Sequence, residues 1–89
     1  MYLHLGQDTV VTYDKILGIF DLEATTVSKP TRDYLANATK TGRVVNVSMD
    51  LPKSFIVCRN KDGSTTVYIS PISPSTLLKR SKNALSGLK

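Results

Sequence analysis

The stretch from Tyr2 to Asp21 (YLHLGQDTVVTYDKILGIFD) restricts this chain most, because it packs three strand candidates into a span with almost no loop. They are residues 2–5, 9–12 and 16–20. Gly6-Gln7-Asp8 supplies a turn between the first two, and Tyr13-Asp14-Lys15 is able to reverse the chain again. The pattern predicts a compact meander that begins at the second residue, with no signal or transit peptide ahead of it.

The remaining sequence punctuates cleanly. Residues 22–28 read as a polar, Thr-rich connection, and Ser28-Lys29-Pro30 places a capping hydroxyl before a proline that a first helical turn tolerates. The helix runs to Thr39 or Lys40, with Gly42 as its stop and Thr31, Tyr34, Leu35 and Ala38 on one face. That face is narrow, so the helix needs a sheet or a neighbour behind it.

Residues 43–47 (RVVNV) read as a strand, 48–53 (SMDLPK) as a loop, and 54–59 (SFIVCR) as the strongest strand in the chain. Asn60-Lys61-Asp62-Gly63 is a hairpin turn, since Asp-Gly tolerates positive φ. Residues 65–70 (TTVYIS) return, with Thr65, Val67 and Ile69 on one face. Ser73-Pro74 starts a last helix, from Ser75 to about Leu85, carrying Leu77, Leu78, Ala84 and Leu85. The expected fold class is α+β: a small single-domain antiparallel β-sheet with one central helix and a C-terminal helix. Residues 83–89 are expected to form a basic tail of the one domain, 1–89.

Eighty-nine residues bury a modest share of their surface, and the chain has no Trp, so the core must come from small aliphatic side chains. Chains of this kind often complete their core by self-association, and a homo-oligomer is expected. No apolar run approaches the ~20 residues that cross a bilayer. The single cysteine, Cys58, cannot form an internal disulfide and suits a reducing cytoplasm. It lies in the most apolar strand, where a buried, inert thiol is expected. His4 has no ligating neighbours in sequence, so no metal or other cofactor is expected. No phosphate loop, paired carboxylates or Cys–His pair is visible, and the chain reads as a non-enzyme without a small-molecule substrate.

Charge is the first functional clue. Twelve Lys and Arg against seven Asp and Glu give +5, and no acidic residue follows Asp62, whereas Lys79, Arg80, Lys82 and Lys89 lie beyond it. Such a balance attracts a polyanion or merely keeps a small domain soluble. The 79–82 cluster reads first as a solvated face complementing a helix C-terminus.

The opening YLHLG…VV…D…ILGIFD, the central DLPKSFIV and the closing VYISPISPSTLLKR, in that order, resemble the Rem-type extracellular matrix regulators of bacteria, in their RemB-like branch. The resemblance spans Tyr2 to about Arg80. It implies a cytoplasmic, DNA-binding transcriptional regulator tied to biofilm matrix genes. It also implies assembly into a ring-like homo-oligomer whose repeated cationic spots add by avidity on double-stranded DNA. The family's arginine before the third strand corresponds here to Lys15. Its adjacent arginine pair in the central loop is reduced to Lys53, with Asp50 nearby; lysine keeps the charge but not the bidentate fork. The DNA-binding candidates are therefore Lys15, Lys53, Arg43 and Arg59, the last two equally placed to pair with Asp33 or Asp50. The departure at Leu51-Pro52-Lys53 leaves a second reading: an oligomeric structural or protein-interaction module without the DNA contacts.

Overall fold

The computed structural model describes residues 2–22 and 28–86, with side chains to residue 82. The Thr-rich connection, and the expectations for Ala84, Leu85 and the basic tail, lie outside what it describes.

Strands β1 (Tyr2–Gly6) and β2 (Thr9–Thr12) pair as an antiparallel hairpin. Gly6 and Gln7 turn it at φ 125° and 48°, the first a value that a residue with Cβ rarely adopts. One turn of 3₁₀ helix, Tyr13–Lys15, leads into β3 (Ile16–Asp21). Helix α1 (Lys29–Lys40) begins at Ser28, whose Oγ accepts from Thr31 N at 3.4 Å. It ends in a left-handed Gly42 (φ 71°): Gly42 N donates to Thr39 O at 3.1 Å and Arg43 N to Ala38 O at 2.9 Å. These two bonds form a Schellman closure that aims the chain into β4 (Val44–Asn46). Strands β5 (Ser54–Arg59) and β6 (Thr65–Ser70) form the second hairpin, and α2 (Pro74–Ser86) follows with Ser73 as its cap.

The expectation of one antiparallel sheet needs correction. β1 and β2 form their own two-stranded sheet, while four strands form a second in the order β3-β5-β6-β4. β4 runs parallel to β6, with Val44 opposite Val67, and it is shorter than the expected 43–47. The reason lies in the connection: residues 48–53 carry the chain past the end of β6 before β5 begins. Lys53 N donates to Ser70 O at 2.9 Å on the way, so the returning β6 must point the same way as β4.

Alternation along β5 divides the interior into two cores. Ile56 and Cys58 join Leu3, Leu5, Val11, Val47 and Leu77 on the side covered by the β1–β2 hairpin and α2. Phe55 and Val67 join Ala38, with Tyr34 and Leu35 packed beside them, on the side covered by α1. The four-stranded sheet is thus the middle of three layers. Fully burying a side chain such as Leu5, Ile56 or Leu77 contributes about 1.5–3 kcal/mol, so the narrow faces of both helices suffice once the sheet stands behind them.

Candidate nucleic-acid interface

Register places three of the four candidate cations at one end of the four-stranded sheet. Ile16 is opposite Cys58, which sets Lys15 beside the exit of β5 at Arg59. Arg59 is opposite Thr65 at the start of β6, and Arg43 precedes β4 at the same level, its carbonyl accepting from Val67 N at 2.8 Å. Lys53 is at the other end, where its carbonyl accepts from Leu22 N. Six residue steps of β-strand separate it from Arg59, or about 20 Å.

Within the cationic end, a shallow cleft of about 350 Å³ is lined by Asp14, Lys15, Arg59, Asn60 and Lys61. Lys61 is a cation that the sequence reading did not single out, although the turn Asn60-Lys61-Asp62-Gly63 already projects it next to Arg59. The turn is firmly built. Asn60 Nδ2 donates to Ser64 Oγ and Thr66 Oγ1 at 3.0 and 2.9 Å, and Gly63 sits at φ 88°. Asp62 accepts from the hydroxyl and backbone N–H of Ser64, which hold its carboxyl below the usual range and keep it ionised. Asp14 and Asp62 thus temper, without cancelling, the charge of Lys15, Arg59 and Lys61.

Arg43 is held rather than free. Its Nε donates to Thr41 Oγ1 at 2.8 Å, its Nη1 to Thr65 Oγ1 at 2.6 Å, and its guanidinium lies 5.9 Å from the Tyr34 ring centre. The pairings with Asp33 and Asp50 are not formed: Asp33 bonds Lys29 at 3.0 Å instead. Arg59 and Lys15 are exposed at the rim. Lys53 is exposed as well, on a loop where Asp50 N donates to Ser48 Oγ.

The other candidates take structural roles. Arg80 Nη1 donates to His4 O at 3.2 Å, joining α2 to the hairpin layer on the sheet face away from α1. His4 Nε2 is 2.6 Å from Gln7 O and closes the β1–β2 turn. Cys58 is buried, and burial pushes its thiol up to about 11 against a smaller opposing pull from Lys15. Among the described residues no three His, Cys, Asp or Glu side chains gather as a metal site, and no helix is long and apolar enough to cross a membrane.

A small α+β protein with cations collected at one sheet end, and with this order of motifs, falls in a known class. The RemA-like family model, described as extracellular matrix regulatory protein A-like, matches residues 2–80. The chain belongs to this family of extracellular matrix regulatory proteins. It is 38% identical over 82 residues to Extracellular matrix regulatory protein B of Bacillus subtilis (strain 168), a match that covers 92% of this chain and 91% of that protein.

Proposed function

We propose that the protein is a cytoplasmic transcriptional regulator of the extracellular-matrix type, which grips the DNA backbone through Lys15, Arg43, Arg59 and Lys53, repeated around a ring-like homo-oligomer. The observation that carries this reading is the convergence of Lys15, Arg43 and Arg59, with Lys61 beside Arg59, on one end of the sheet, although they come from three separate stretches of sequence. One such end is weak. Non-specific protein–DNA association is typically about 10⁻⁴–10⁻⁶ M at physiological salt, and its strength scales with the number of phosphates neutralised. Repetition around an assembly turns a few contacts per subunit into a tight grip and offsets the cost of bending the duplex.

The test is a salt titration of binding to a labelled duplex, read by mobility shift or anisotropy. Affinity is expected to fall steeply with salt, and Lys15→Ala with Arg59→Ala is expected to flatten the slope by about 0.9 for each phosphate contact removed. A slope identical to that of the unaltered protein would remove this end from the interface. One observation favours the second reading, an assembling module that ignores DNA: the loop carries Asp50 and a single cation, Lys53, and Arg43 already commits two of its five donors to Thr41 and Thr65. Its signature is an oligomer that leaves the duplex unshifted even at low salt.

A further inference from the structure

On the α1 side of the sheet, a second cavity of about 460 Å³ runs between α1 and the edge strand β3. Leu17, Phe20, Pro30, Tyr34, Phe55 and Val57 line it, so its wall is almost wholly apolar. Leu17 and Phe20 stay exposed there because, among the described residues, β3 is an edge strand that pairs with β5 alone. The converse feature leaves the sheet at its other edge. Just after β4, Met49 is 102% and Leu51 79% exposed, two apolar side chains held out into water on one short loop. Exposed apolar surface gathered in this way marks an interaction site.

We infer that the Met49–Leu51 loop of one copy occupies the β3–α1 groove of the next copy. The two surfaces are unlike, one concave and one projecting: the groove follows the β3 edge, and the loop leaves from β4 and crosses the end of the sheet to β5. A two-fold contact sets a patch against itself, whereas unlike patches join head to tail and continue into a ring or a filament. Charge agrees with the pairing. Asp50, between the two apolar side chains, is the sole acidic residue from 44 to 61. The groove is bordered by cations: Arg43 lies over Tyr34 and on Thr65, another lining residue, and Lys15 and Arg59 are two residues from Leu17 and Val57. Lys29, next to Pro30, is already neutralised by Asp33.

The consequence reaches the phosphate site and to that extent rests on the reading above. Within one protomer Lys53 is stranded at the wrong end of the sheet. The groove runs the length of β3, and seating the loop at its Leu17, Val57 and Thr65 end sets Lys53 toward that neighbour's Lys15, Arg43 and Arg59. The cationic site is therefore composite, completed by a second copy, and the departure of Lys53 from the other three is resolved by assembly.

The experiment uses the full chain with Leu17→Arg, which blocks the groove, and with Leu51→Asp, which disables the loop. Sedimentation of the unaltered protein at tens of micromolar is expected to give an oligomer, and each variant alone a monomer. An equimolar mixture of the two is expected to stop at a heterodimer, because one intact groove and one intact loop remain. Either variant keeping the full assembly overturns the groove–loop contact while leaving assembly and DNA binding standing. A mixture that stays monomeric also overturns it, and a monomeric unaltered protein overturns both the contact and the ring. Sedimentation involves no DNA, so loss of the DNA reading alone leaves this result untouched. Val10→Arg, exposed on the hairpin away from both surfaces, is expected to assemble normally. Should Leu17→Arg fail to fold, Leu51→Asp decides alone, since Leu51 projects into solvent within its own protomer.

Discussion

Removing one hydroxyl from the end of the sheet tests how the two sheets are joined. Ser70 is fully buried, and its Oγ donates to Leu5 O at 2.6 Å while accepting from Ile72 N at 3.1 Å. Leu5 has no place in the β1–β2 ladder, because the register slips between His4 and Gly6. The bulge therefore leaves its carbonyl to be satisfied across the layer boundary. In Ser70→Ala the Leu5 carbonyl stays buried without its donor, at about 1–3 kcal/mol, while the half-buried Ile72 N–H is able to recruit water at a few tenths. The expected loss is about 2 kcal/mol. Urea unfolding followed by far-UV circular dichroism measures it, at one fixed protein concentration so that assembly does not move the midpoint. Thr66→Ala, which breaks a hydroxyl contact to Asn60 in a half-buried turn, serves as the comparison and is expected to cost less. A Ser70→Ala loss below about 0.5 kcal/mol would mean that the Ser70–Leu5 bond does not hold the hairpin to the sheet, and the bulge would have no part in specifying the join.

Gly18 has a narrower reason to be glycine: a Cβ built there falls 2.6 Å from the Phe20 ring. Gly18→Ala is expected to push that ring off Phe55, with which it stacks at 4.8 Å and 17°, at a cost of about 0.5–1.5 kcal/mol in the same unfolding assay. Because Phe20 also lines the groove, the assembly is expected to weaken in sedimentation at the same time. Cys58 provides a pH prediction. Its folded value, about 11, lies above its ordinary value of 9.0, so the folded chain holds a proton that the unfolded chain releases first. The stability it contributes is present in full below pH 9 and is lost as pH rises toward 11. Cys58→Ala is expected to flatten stability between pH 9 and 11, and a thiol reagent at pH 8 is expected to label the native protein only at its rate of opening.

Much of this architecture was legible because local chemistry and tertiary demand agree. The cap at Ser28, the stop at Gly42 and the turn at Asp62-Gly63 are each settled within a few residues, and each appears where the sequence puts it. The face Thr31, Tyr34, Leu35 and Ala38 turns toward the sheet, since helical periodicity needs no knowledge of its partner. Strand order is a different kind of information. Nothing in RVVNV says whether it pairs with β5, β6 or the first hairpin, because so short a run, with two adjacent valines, serves any neighbour equally. The division into two sheets and the parallel β4 depend instead on where 48–53 crosses.

The same limit applies to the cations. Their identity is readable one by one, and a resemblance supplied Lys15 and Lys53, yet being neighbours is a property of register. Arg43 and Thr65, 22 residues apart, meet at 2.6 Å only because β4 lies parallel to β6. Had β4 paired antiparallel, Arg43 would stand at the end near Lys53, and Lys15, Arg59 and Lys61 would make a smaller site. A basic sequence therefore does not by itself make a phosphate-binding surface. In this chain Arg43 joins the other cations through one parallel strand that spacing alone could not disclose, and the loop from 48 to 53 that follows this strand leaves Met49 and Leu51 in solvent.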